Sequence, residues 1–160
     1  FGESIAHGTI FRRAIEEDLI NPHKMVQIGQ RTTGYSADDF EWVRQQGVRV
    51  VNAEECWYQS LTPLMAEVRE QIGAETPVYL SFDIDGIDPA FAPGTGTPEP
   101  GGLTNTQAIE IIRGCWGLNL VGSDLVEVSP QYDTTGNTAL LAANLVFEML
   151  CSFPGCLRRD

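Results

Sequence analysis

The sequence predicts an α/β protein in which helices cover both faces of a mostly parallel sheet, giving three α/β/α layers. Short apolar, β-branched segments alternate along the chain with longer segments of helical periodicity. Capping and turn residues separate the segments, and no internal repeat, low-complexity tract or linker interrupts them. Neighbouring parallel strands need crossover helices, and these helices cover the two faces of the sheet.

Each element is predicted from its own sequence signals. Segments 25–29, 48–51, 77–82 and a part of 118–128 are rich in Val, Ile, Leu and Tyr and read as strands. Segments 9–19, 36–46, 61–72, 104–113 and 138–151 are predicted helices. Two of them open on capping boxes, which are Ser36 with Asp39 and Thr104 with Gln107. Three of them are expected to end at glycines, which are Gly47, Gly73 and Gly114.

The run at 81–98, SFDIDGIDPAFAPGTGTP, places acidic residues at the end of the third strand. Asp83 and Asp85 are two residues apart, so on a strand their side chains would share one face, about 6.6 Å apart. Two neighbouring carboxylates repel each other and are costly to keep unless a cation lies between them. A loop rich in Pro, Gly and Thr follows. Together these features indicate a site for a hard metal ion.

Two other interpretations apply to the same run. An EF-hand calcium loop needs an acidic or amide side chain at position 5, Gly at position 6 and Glu at position 12. Counted from Asp83, these positions hold Ile87, Asp88 and Gly94, and a strand precedes them, which excludes the EF-hand. The interpretation that the acids only cap a turn stays open. Asp88 precedes Pro89, which favours an extended backbone, and is expected to hold the shape of the loop.

Composition limits the classes of partner. The 160 residues carry a net charge of −12, which argues against nucleic acids and anionic membranes as partners. No apolar run approaches the length of a membrane span. The cysteines lack Cys-x-x-Cys spacing and are expected to be reduced thiols, which suits a reducing compartment such as the cytoplasm. The tryptophans are expected to be packing residues, and these are Trp42, Trp57 and Trp116.

Three blocks of the chain resemble a known family. The run at 81–98 resembles the second aspartate signature of the ureohydrolases, the arginase and agmatinase family of binuclear manganese enzymes. LVEVSP at 125–130 and HGTIFRR at 7–13 resemble two further blocks of that family, in the same order. The resemblance extends over essentially all 160 residues, and within the family it is to agmatinases and guanidinobutyrases.

The resemblance implies an arginase-like fold and the hydrolysis of a guanidino compound to urea and an amine. It implies two Mn²⁺ ions in the intact enzyme, with Asp83 and Asp85 as bridging ligands. Glu127 matches the glutamate that pairs with the substrate guanidinium, since a carboxylate can accept two parallel N–H bonds from that planar group. His7 matches the histidine that passes a proton to the leaving amine. The implied partners are a small guanidino substrate and further copies in a homo-oligomer.

The chain also departs from the family pattern. In the family, a longer N-terminal half carries Gly-Gly-Asp-His and Asp-Ala-His-x-Asp blocks, which supply most of the metal ligands. Neither block is present, because His7 and His23 are the only histidines and lie in other contexts. Residues 1–160, which open at Phe1, are therefore expected to be the C-terminal part of a single ureohydrolase domain and to be inactive alone. Any targeting segment, including a mitochondrial one, would then lie upstream. The alternative is a non-catalytic subunit or interaction module of the same fold.

The resemblance leaves the substrate open. Arginases carry Ser-Gly-Asn-Leu before the matching His-Gly, where this chain has GESIA at 2–6, which disfavours arginase. Segments 34–42 and 53–57 resemble guanidinobutyrases and related agmatinases. Agmatine ends in an amine and 4-guanidinobutyrate in a carboxylate, so one charged contact would separate them. That contact is expected to lie outside these residues.

Overall fold

The computed structural model describes residues 5–31, 33 and 38–156 of the chain. The chain divides into two compact units. The first consists of Phe1–Gln27 and Thr32–Val50, and the second consists of Ile28–Arg31 and Val51–Asp160. The second unit contains the aspartate-rich run and most of the regular structure, so it carries most of what positions the candidate site.

The described part of the first unit is mostly helical. A 3-10 turn at His7–Thr9 leads into α1, Ile10–Glu16, and a second helix, α2, spans Asp38–Gln45. Helix α1 is shorter than the predicted 9–19 because Asp18 has a left-handed backbone with φ of 55°, which a continuing helix excludes. The predicted capping box before α2 involves Ser36, which lies outside the described residues.

The four predicted strands are confirmed, and they form two hydrogen-bonded pairs in the described chain. Strand β1, Val26–Gln30, pairs with β2, Arg49–Asn52. Strand β3, Pro77–Asp83, pairs in parallel with β4, Asn119–Val126. In this register Asp83 lies opposite Val126. Both strands therefore end at the same edge of their sheet.

Helices of the second unit pack beside the β3–β4 pair. Helix α3, Ala53–Cys56, precedes three longer helices, which are α4 at Thr62–Ile72, α5 at Asn105–Gly114 and α6 at Asn137–Ser152. Helix α6 contacts β4 and α5, and α5 also contacts α4. The most buried side chains of these helices include Met65, Val68, Ile72, Ala108, Ile112, Leu145 and Met149. The predicted α/β class is confirmed. None of the described helices has the length and apolarity needed to cross a bilayer.

Both ends of α5 are set by residues that the sequence singles out. Thr104 Oγ1 accepts from Gln107 N at 3.2 Å, and Gln107 Oε1 accepts from Thr104 N at 3.0 Å, so the predicted capping box is confirmed. Gly114 is the last helical residue, and a Cβ at this position would lie 2.5 Å from Met65 Cβ on α4. Only glycine allows α4 and α5 to approach this closely.

Candidate active site

The register of β3 and β4 determines where two acidic residues lie relative to each other. Asp83 is the last residue of β3 and lies opposite Val126. Glu127 comes directly after Val126, where β4 ends. The carboxyl ends of parallel strands are the usual position of ligand sites in α/β proteins. The strand register therefore brings Asp83 and Glu127 to the same edge, as their predicted roles require.

Asp85 lies in a turn, and the prediction that it shares a strand face with Asp83 is wrong. Strand β3 ends at Asp83, and Ile84–Gly86 form a 3-10 turn. The Asp83 carboxylate accepts a hydrogen bond from Asp85 N at 2.9 Å, which caps the turn in place of a strand hydrogen bond. Asp83 therefore caps the turn, as the turn-capping interpretation expects. It does not exclude metal binding, because a carboxylate has two oxygens and several lone pairs.

Two threonine hydroxyls of the loop hold the Asp85 side chain. Thr95 Oγ1 contacts one carboxylate oxygen of Asp85, and Thr97 Oγ1 donates to the other. Thr95 Oγ1 also lies 3.0 Å from the carbonyl oxygen of Glu127, and its single proton serves one of the two acceptors at a time. The loop thus links Asp85 to the segment after β4. These threonines are not predicted from sequence as supports of Asp85, although the repeated Gly-Thr of GTGTP is their signal.

Asp88 holds the shape of the loop, as predicted. Its carboxylate accepts from Gly101 N at 2.7 Å, from Gly102 N at 3.2 Å and from Ala90 N at 2.9 Å. Burial favours the neutral acid, but these three N–H donors favour the carboxylate more, so the pKa of Asp88 is lowered. Trp57 Nε1 donates to the carbonyl oxygen of Gly101 at 2.9 Å and fastens the same segment.

Arg31 braces the turn that carries Asp85. Its guanidinium donates to the carbonyl oxygens of Gly29 and Gly86, at 3.0 Å in each case, and to that of Asp85. The planar fork of arginine suits several acceptors in one plane. Arg31 was missed from sequence because its partners are backbone carbonyls of a distant segment, which leave no local pattern.

The electrostatics of Asp83 indicate crowding of negative charge. Partial burial of its carboxylate raises the pKa of Asp83 to about 6. The Asp85 N–H and Arg31 lower it, while the charges of Asp85 and Glu127 raise it. Asp83 is exposed to solvent as a residue, so water screens part of the effect of burial on its charge. A cation beside these groups would relieve the repulsion and favour the ionised form.

Glu127 has an unusual backbone. Its φ is 66°, in the left-handed region that residues other than glycine rarely adopt. Such a conformation costs roughly 1–3 kcal/mol and is found mainly where the surrounding structure enforces it, often at functional sites. Here the contact of Thr95 Oγ1 with the Glu127 carbonyl oxygen helps to hold the backbone. The conformation turns the chain sharply after β4.

Asp83 and Asp85 are the residues best suited to hold a divalent cation. Their oxygen ligands suit Mn²⁺ and Mg²⁺ alike, and the crowded charge around Asp83 fits a cation between them. In the ranges that the structure describes, no group of three or more His, Cys, Asp or Glu side chains is arranged to hold a metal ion. Asp83 and Asp85 could therefore supply some of the ligands of a metal site, and the other ligands would have to come from elsewhere.

His7 belongs to the first unit and is described there by itself. It opens the 3-10 turn His7–Thr9 and is exposed. Thr9 Oγ1 accepts from Ala6 N at 2.9 Å and fixes this turn. The second unit brings Asp83, Asp85 and Glu127 together, whereas the role of His7 as a proton donor stays a prediction.

Relatives with known names match almost the whole chain. Residues 1–151 match the arginase family. The chain is 72% identical over 159 residues to guanidinobutyrase of Pseudomonas aeruginosa, covering 99% of this chain and 50% of the relative. It is 61% identical over 153 residues to the mitochondrial guanidino acid hydrolase of Homo sapiens, covering 96% of this chain and 43% of the relative. The chain thus spans about half the length of the curated relatives it matches.

Solved structures give the same assignment. The chain matches proclavaminate amidino hydrolase from Streptomyces clavuligerus with a TM-score of 0.89 and 44% identity, over 96% of this chain and 50% of that one. It matches an arginase from Bacillus caldovelox with a TM-score of 0.74 and 30% identity, over 81% of this chain and 44% of that one. The predicted arginase-like fold is therefore confirmed, and the chain belongs to the arginase family.

Proposed function

We propose that these residues form the C-terminal part of a ureohydrolase domain that hydrolyses a small guanidino compound to urea and an amine. The observation that carries this proposal is the meeting of Asp83, Asp85 and Glu127 where β3 and β4 end. The names of the relatives, guanidinobutyrase and guanidino acid hydrolase, support the substrate class.

Each acidic residue has its own part in the proposed reaction. Asp83 and Asp85 would hold two Mn²⁺ ions together with ligands from the rest of the full-length protein. When bound, such ions supply Lewis acidity, which brings the pKa of water close to neutrality. Thr95 and Thr97 keep the Asp85 carboxylate in one orientation. Glu127 accepts parallel N–H bonds from the guanidinium and so fixes the position of its carbon.

The leaving amine needs a proton, and His7 is the proposed donor. We also propose that the full-length protein is a homo-oligomer in the cytoplasm or in mitochondria. The first substrate to test is 4-guanidinobutyrate, because identity to the guanidinobutyrase, at 72%, exceeds the 63% identity to the mitochondrial agmatinase of Gallus gallus. Agmatine is the second.

Urea release from the full-length protein tests the proposal. Loaded with Mn²⁺, the protein is expected to release urea from 4-guanidinobutyrate, agmatine or both. Asp85→Asn should abolish release and lower manganese occupancy, because it removes a ligand charge. Glu70→Gln is the matched control, since Glu70 is an exposed acid on α4. The 160 residues alone should release no urea, because two aspartates cannot complete the site. Full activity in Asp85→Asn, or turnover by the 160 residues, would contradict the proposal.

A non-catalytic subunit of the same fold is the second candidate. It is favoured by one observation, the lack of a three-residue metal cluster within residues 5–31, 33 and 38–156. Manganese analysis of the full-length protein separates the two candidates. Two tightly bound ions per chain support the enzyme, and no binding supports the non-catalytic subunit.

A further inference from the structure

Buried polar groups connect the first turn of α6 with the run at 81–98. The Asp133 carboxylate, 8% exposed, accepts from Thr135 N at 2.9 Å, Gly136 N at 3.1 Å and Thr138 N at 2.6 Å. Thr135 Oγ1 donates to it as well, at 2.6 Å. Thr135 N and Gly136 N lie just before α6, and Thr138 N is one of the backbone N–H groups that the start of a helix leaves without a partner inside the helix. Asp133 therefore fixes the first turn of α6, which contains Thr138.

Thr138 connects this fixed first turn of α6 to Gly94 in the run at 81–98. Its side chain is fully buried, and its Oγ1 accepts from Gly94 N at 2.8 Å. A Cβ on Gly94 would lie 2.7 Å from Asp133 Cβ and 2.9 Å from Thr138 Oγ1. Gly94 therefore has no room for a side chain, and its backbone is pressed directly against the start of α6. The Gly94 carbonyl oxygen is held too, because it accepts from Ser129 N at 2.8 Å.

The residue after Gly94 reaches both functional acids. Thr95 is 3% exposed, and its hydroxyl contacts the Asp85 carboxylate and the Glu127 carbonyl oxygen. Once both backbone groups of Gly94 are fixed, the Thr95 hydroxyl has little freedom to move away from them. The path from α6 to Asp85 thus consists of two contacts, Thr138 with Gly94 and Thr95 with Asp85, joined by the peptide bond between the buried residues Gly94 and Thr95.

We propose that Thr138 is a positioning residue, which sets the orientation of Asp85 and the strained backbone of Glu127 through Gly94 and Thr95. This inference rests on the proposed function where it concerns metal and substrate. Removal of a group that orients a metal ligand typically lowers metal affinity or activity by roughly 10–100-fold. A residue that only stabilises α6 would lower stability and leave both unchanged.

Three substitutions, two at Thr138 and one at the opposite end of α6, separate these roles. Thr138→Val keeps the shape but removes the hydroxyl, which is the acceptor of Gly94 N and also a donor to the Asp133 carboxylate, and Thr138→Ser keeps this hydroxyl. Ser152→Ala is the matched control, because Ser152 is a buried hydroxyl at the far end of α6 that bonds the carbonyl oxygens of Ile112 and Glu148. All three are made in the full-length protein.

Three quantities are measured, which are amide hydrogen exchange, manganese affinity and kcat/KM. In the metal-free protein, amide hydrogen exchange of segment 92–98 should be at least about tenfold faster in Thr138→Val, because the Gly94 N–H loses its acceptor. It should be unchanged in Thr138→Ser and Ser152→Ala. Manganese affinity and kcat/KM should fall by roughly 10–100-fold in Thr138→Val only.

Equal exchange rates and equal manganese affinity in Thr138→Val and Ser152→Ala would overturn the inference. If Thr138→Val does not fold, Thr138→Cys replaces it, because a thiol keeps the volume but is a weak acceptor. Unchanged exchange in that variant would overturn the inference equally. The exchange result does not depend on activity, so an inactive wild-type protein would contradict the proposed function and leave this test intact.

Discussion

Replacing Asp83 with Asn should change stability and metal binding in opposite directions. Partial burial and the charges of Asp85 and Glu127 raise the pKa of Asp83 from 3.8 to about 6 in the absence of metal. Asn has the shape of the neutral acid, and its side-chain oxygen can still accept from Asp85 N. The metal-free variant should therefore be more stable than the wild type at pH values where Asp83 is ionised.

The size of the gain follows from the pKa. A pKa raised by about two is equivalent to roughly 3 kcal/mol between the protonated and ionised forms. Asp83 is exposed as a residue, so solvent screening reduces this figure to about 1 kcal/mol. The destabilisation by the charge is present above the folded pKa of about 6. It is relieved as the pH falls through that value toward the unfolded value of about 3.9, because the folded state then binds the additional proton.

Urea denaturation of metal-free protein measures this effect. At about pH 8, Asp83→Asn should be more stable by about 1 kcal/mol, and the difference should vanish near pH 4. Asp124→Asn is the control, because Asp124 accepts from Tyr79 Oη at 2.8 Å and Ser81 Oγ at 2.7 Å and should lose stability when changed. Manganese titration should show weaker binding by Asp83→Asn. A less stable Asn variant at pH 8, or unchanged manganese affinity, would refute the reasoning.

Two further predictions concern other side chains. Glu127→Gln keeps the shape but removes the charge, so kcat/KM for guanidino substrates should fall by roughly 10–100-fold, the equivalent of about 1.5–3 kcal/mol. The manganese content should stay unchanged. An unchanged kcat/KM would show that Glu127 does not bind the guanidinium. In the folded, metal-free protein, a thiol reagent should label the exposed Cys151 and Cys156 quickly. Cys56 and Cys115 should be labelled only on unfolding, because they are buried and burial raises the pKa of both thiols to about 11. Four equal labelling rates would contradict this prediction.

Elements with local signals were predictable from sequence, and their pairing was not. The capping box at Thr104 and the glycine after 61–72 depend on contacts within a few residues, so they can be read directly. The division of four strands into two pairs depends on tertiary contacts. The same limit explains the error at Asp85, because strand periodicity does not reveal that the Asp83 side chain will cap a turn.

The residues that support the site were harder to predict than the acids themselves. The spacing of Asp83 and Asp85 and the position of Glu127 are visible in the sequence, but Arg31 and Thr138 act through the backbone of segments far away along the chain. The packing prediction was wrong for Trp57 and Trp116, which are 45% and 51% exposed. Trp57 contributes a hydrogen bond from Nε1 to Gly101 instead of a buried ring.

Four aspartates of the second unit, Asp83, Asp85, Asp88 and Asp133, differ in how many protein donors compensate their charge. Asp88 accepts from three backbone N–H groups, and Asp133 from three backbone N–H groups and the hydroxyls of Thr135 and Thr138. Asp85 has two hydroxyls. Among the described residues, Asp83 has one N–H donor and stands beside other acids, and its pKa is raised. Its charge is therefore the one that the fold leaves for a cation to compensate. This is why substitution of Asp83, and not of the other three, should separate stability from metal binding.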